Sequence, residues 1–71
     1  MAAKLVIETR MEGDDKWQTS ELFDDFDTCL KHIKNLIQKE GRKVRLVVPG
    51  GFNLTAADEK ALKELGVEHN S

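Results

Sequence analysis

Leu5 and Ile7 alternate with Lys4, Glu8 and Arg10, a period-two pattern that predicts a strand with one buried face, and only Val6 interrupts the polar side. Glu12-Gly13-Asp14-Asp15 supplies turn chemistry, with glycine for positive φ and aspartates for local bonds to the backbone. A second strand is expected over Lys16 to Glu21, with Trp17 and Thr19 on a shared face and a polarity that suits a sheet edge. The period then changes. Phe26, Cys29, Leu30, Ile33, Leu36 and Ile37 recur at helical spacing and fall on one stripe. Phe23-Asp24-Asp25-Phe26-Asp27 reads as the helix start, with Asp24 as N-cap, and Gly41 as its end.

From Arg42 to Val48 the alternation returns, placing Val44, Leu46 and Val48 on one face and Lys43, Arg45 and Val47 on the other. Pro49-Gly50-Gly51 breaks this third strand. Thr55-Ala56-Ala57-Asp58 is a capping-box pattern that opens a shorter helix through Leu65, closed by Gly66 with Val67 folding back on Leu62. The tail, Glu68-His69-Asn70-Ser71, is expected to fray.

The elements run strand, strand, helix, strand, helix. This predicts a single α+β domain over residues 1–71, of the form ββαβα. Its expected three-stranded antiparallel sheet has order 2-1-3, because the first strand has the densest aliphatic centre. Phe26, Leu30, Ile33 and Ile37 would pack on Leu5, Ile7, Val44 and Leu46. The second helix fits either face, covering Val6 and Val47 or lying beside the first helix. The rhythm resembles that of many small bacterial and phage proteins of unrelated function, and of the antitoxin half of certain toxin pairs. It is a resemblance of architecture and assigns a role to no residue.

Seventy-one residues leave room for one small core, for which a second subunit would be a natural support. At 39% hydrophobic residues with one proline, the composition is that of a folding chain. The net charge of −2 excludes strong whole-molecule attraction to polyanions, but the charge is unevenly spread. Residues 1–30 carry three basic and eight acidic side chains, whereas residues 31–71 carry eight and five. The single cysteine forms no internal disulfide, and the apolar run Leu5-Val6-Ile7 is too short for a signal-peptide core or a membrane span. A cytoplasmic protein with no membrane partner is expected. Asn53-Leu54-Thr55 matches a glycosylation pattern that has no role without secretion.

Candidate chemistry is sparse. Cys29, His32 and His69 fall short of a four-ligand zinc set, and the aspartates of residues 14–27 lack calcium-loop spacing, so no metal and no cofactor is expected. Ser20 has no glycine elbow and neither histidine an evident orienting partner, which argues against an enzyme. Gly50-Gly51 before a helix lacks the spaced glycines and lysine of a phosphate loop and reads as a capped turn. Lys31, Lys34, Lys39, Arg42, Lys43 and Arg45, against Glu40 alone, form the basic segment to weigh for nucleic-acid contact, although no aromatic is interleaved on the first or third strand.

The expected function is a non-enzymatic protein–protein interaction module that forms a homodimer or binds another protein. Its candidate surface is Val6, Glu8, Lys43, Arg45 and Val47, with Glu8 of one copy meeting Arg45 or Lys43 of the other. Pairing along the third strand's edge is a competing route to a dimer. A nucleic-acid-associated protein using residues 31–45 is the alternative.

Overall fold

The computed structural model describes residues 4–70. The fold is α+β, with β1 Leu5–Arg10, β2 Gln18–Phe23, α1 Phe26–Gln38, β3 Lys43–Val47, α2 Ala56–Glu64 and β4 Glu68–His69. These form one mixed sheet of order β2-β1-β3-β4. The first three strands are antiparallel and stand in the order expected from the aliphatic centre of β1. The fourth was not expected. Glu68 and His69 pair parallel to Arg45 and Leu46, so the sheet is neither three-stranded nor wholly antiparallel.

The chain reaches β4 because α2 ends in a tight reversal. Gly66, at φ 73°, accepts the left-handed conformation that other residues adopt only with strain. The Val67 amide donates to the Leu62 carbonyl at 2.9 Å and the Gly66 amide to the Lys63 carbonyl at 3.1 Å. Val67 and Leu62 are both buried, as the sequence pattern implied. The segment beyond is therefore ordered, contrary to the expected fraying. The Asn70 amide also completes the ladder: the Val48 N–H donates to Asn70 Oδ1 at 2.6 Å and Asn70 Nδ2 donates to the Val48 carbonyl at 2.9 Å. The expectation for Ser71 lies outside the described residues.

Smaller differences have local causes. β2 starts and ends two residues later than its alternation suggests, and it carries a bulge. Val6 faces Leu22 and Glu8 faces Thr19, so two steps on β1 match three on β2. The N-cap of α1 is Asp25 rather than Asp24: Asp25 is extended, and its Oδ2 accepts from the Thr28 amide and hydroxyl, each at 2.9 Å. Asp24 instead lies 3.5 Å from Lys4 Nζ at the surface.

Leu5, Ile7, Cys29, Ile33, Leu46 and Leu62 are almost wholly removed from water and centre one core, which also holds Phe26, Leu36, Val44, Val48 and Val67. Leu30 and Ile37 pack at its margin. Leu62 of α2 enters the same core as the α1 stripe, so both helices lie on one side of the sheet. Burial of this apolar stripe supplies the main driving force for folding. No helix among the described residues is long and apolar enough to cross a membrane.

Candidate functional site

With both helices on one side, the opposite sheet face is left to side chains alone. Its residues stand in cross-strand rows. Leu22, Val6 and Val47 align across β2, β1 and β3, since Val6 is the partner of both others. Leu22 is 56% exposed and Val47 36%, whereas Val6 between them is half-buried. The next row holds Thr19, Glu8, Arg45 and Glu68, and a third pairs Arg10 with Lys43. The face thus changes from apolar at one end to basic at the other.

The structure brings together all five residues of the candidate surface, Val6, Glu8, Lys43, Arg45 and Val47, on β1 and β3. It also changes how their charges are used. Arg45 Nε donates to Glu8 Oε1 at 2.6 Å within the chain, and Lys43 Nζ lies 3.2 Å from Glu12 Oε2. The ion pair expected between two copies is therefore already made inside one. The competing edge route is also altered, because β4 occupies the outer side of β3 at Arg45 and Leu46.

The basic segment divides. Lys31, Lys34 and Lys39 lie exposed on or just after α1, on the side of the sheet away from Lys43 and Arg45. Arg42 turns towards β1, where its Nε donates to Thr9 Oγ1 at 3.1 Å, while that hydroxyl donates to the Lys43 carbonyl at 2.8 Å. Six cations contiguous in sequence do not form one patch.

Sequence reasoning missed two members of the open face. Leu22 fell outside the expected second strand, and Trp17 was read only as an edge residue. Trp17 leans over the sheet, with its ring centroid 4.5 Å from Arg45 Cζ and 5.1 Å from Arg10 Cζ, distances at which a guanidinium is attracted to the indole face. Its position two residues from Thr19 on a common face was the available signal.

Elsewhere, Ser20 Oγ lies 3.2 Å from His32 Nε2, and the Phe23 ring is tilted against the imidazole at 5.4 Å. This pair sits on the exposed β2 edge, and no further hydrogen-bond partner orients the imidazole among the described residues, as a hydrolytic triad would require. Burial pushes the Cys29 thiol up to about 12, with the Asp25 charge adding to the effect, so it is protonated at neutral pH. No three His, Cys, Asp or Glu side chains among the described residues are grouped to hold a metal. The helix after Gly50-Gly51 is capped by its own residues: Thr55 Oγ1 accepts from the Asp58 amide at 3.1 Å, and Asp58 Oδ2 from the Thr55 amide at 3.2 Å. A carboxylate thus stands where a phosphate would bind.

No protein-family model, curated protein or solved structure matches this chain.

Proposed function

We propose that this chain is a non-enzymatic protein-interaction module that self-associates in the cytoplasm through its open sheet face. The observation that carries the reading is the in-register row Leu22–Val6–Val47, three aliphatic side chains on adjacent strands with no helix over them. A chain of 71 residues gains from covering such a row, and a two-fold axis through it brings the row against itself. The edges offer less. β2 is bulged and β4 is two residues long, both features that disfavour strand-to-strand pairing. The charges of Glu8 and Arg45 then frame the contact as an already neutralised pair.

Sedimentation over a wide concentration range tests the reading. The expected result is a mass that rises from monomer to dimer, and a Val47→Glu variant that remains monomeric with an unchanged circular dichroism spectrum. A wild-type protein that is monomeric at high micromolar concentration overturns it.

A further inference from the structure

On the open face, β1 and the residue before it present Lys4, Val6, Glu8 and Arg10, because Leu5, Ile7 and Thr9 between them are buried towards the helices. The apolar row therefore has a charged pair on each side. On one side Glu8 accepts from Arg45 at 2.6 Å. On the other, Lys4 Nζ lies 3.5 Å from Asp24 Oδ1, one step beyond the Leu5–Phe23 pair of β1 and β2. The two pairs place opposite charges in line. Glu8 and Lys4 are four residues apart, about 13 Å at the usual strand rise, with Val6 midway.

We propose, on the basis of the self-association proposed above, that two copies stack with their β1 strands antiparallel, so that Glu8 of each meets Lys4 of the other. Aligned stacked sheets lie about 10 Å apart and keep their strands within about 30° of one another, so a two-fold axis between them runs close to the strand direction or close to a line across the strands. An axis along β1 sets Lys4 over Lys4, Glu8 over Glu8 and Arg10 over Arg10. Like charges placed face to face oppose association. An axis across the strands, through the Leu22–Val6–Val47 row, sets each apolar side chain over its own counterpart and reverses the charges around it. Glu8 then faces Lys4 of the second copy, and the contact is flanked on both sides by the run Arg45, Glu8, Lys4, Asp24, whose signs alternate. Arg10 no longer lies over Arg10. The charge order along one strand thus selects between two dimers that the apolar row alone leaves equal.

Charge reversal followed by sedimentation tests the arrangement. Lys4→Glu and Glu8→Lys should each weaken the dimer about tenfold, since each turns two symmetry-related attractions into repulsions, whereas both changes in one chain should return the affinity to within about twofold of wild type. Glu8→Lys also cancels the net charge of −2, so a weaker dimer in that variant does not reflect general repulsion. Circular dichroism of each variant separates lost association from lost folding, and a cross-linking measurement reads the geometry without charge reversal. Lys4→Cys and Glu8→Cys proteins, mixed and treated with a short bismaleimide, should join to each other, the native Cys29 being buried. Glu8→Cys alone should stay unjoined, because the two Glu8 positions of the dimer are about 13 Å apart along the strands. A wild-type protein that is monomeric at high micromolar concentration overturns the self-association and this arrangement with it. A dimer that neither reversal weakens, a double variant no tighter than the single ones, or efficient joining of Glu8→Cys to itself overturns the arrangement alone.

Discussion

Glu8 and Arg45 are direct partners across β1 and β3, and their side chains meet at 2.6 Å on the face that neither helix covers. Because the pair is half-exposed, its worth should be modest. A double-mutant cycle of Glu8→Gln and Arg45→Gln, followed by urea unfolding, should give a coupling of about 0.2 to 1 kcal/mol that shrinks with added salt. Seen only in dimer dissociation and not in unfolding of the monomer, the coupling would instead belong to a contact between copies.

Ile33 sits at the centre of the α1 stripe with no exposed surface. Ile33→Ala removes buried methyl groups and leaves a void, so it should lower stability by about 2 to 5 kcal/mol in denaturant unfolding. An unchanged midpoint would mean that the stripe does not carry the core.

The Cys29 thiol should react slowly with thiol reagents in the native protein and rapidly in denaturant, as mass spectrometry of labelled protein would show. Its raised pKa also fixes a pH dependence. The folded state holds the thiol proton up to about 12 while the unfolded chain releases it near the ordinary thiol value of 9.0. The contribution is therefore complete below 9 and is lost as the pH rises from there towards 12. Cys29→Ala should flatten this alkaline limb of the unfolding curve.

Asp25 gives the opposite dependence. The Thr28 amide and then its hydroxyl bond the carboxylate and lower its pKa below the ordinary aspartate value of 3.8. Its stabilisation is present above that value and is lost as the pH falls through the lower, folded one. Asp25→Asn, which keeps an acceptor at the cap, should retain most of the helix content but lose this acid sensitivity. Circular dichroism melts between neutral and strongly acid pH would check both.

Where a periodic run was long, the sequence was a sufficient guide: Leu5 and Ile7, the Phe26-to-Ile37 stripe, Val44 and Leu46, and the Thr55–Asp58 box all stand in the expected elements. Short elements escaped. Glu68-His69 is too brief to show a period, and only the Gly66 reversal that aims it at β3 gives it a partner. The run Asp24-Asp25-Phe26-Asp27 offers neighbouring carboxylates of equal chemistry, and the path of the chain out of β2 decides between them. The candidate face was partly legible because Val6 and Val47 stood out as apolar residues at polar positions. The packing of Trp17 over Arg45 and Arg10 was not, since it depends on how the Gly13 turn returns the chain past the end of β1.

The Asn70 side chain is a small feature with a wide reach. It grips both polar groups of Val48, so the outermost strand is secured by one amide placed after only two paired residues. Such a fastening opens more easily than the strands beneath it, and hydrogen exchange should register the opening as faster exchange at the Val48 amide than at buried amides of β1. Each opening uncovers the outer rim of β3. Asn70 thereby acts as a latch on a sheet that would otherwise be free to lengthen, and Asn70→Ala should favour slow growth of longer assemblies on warming.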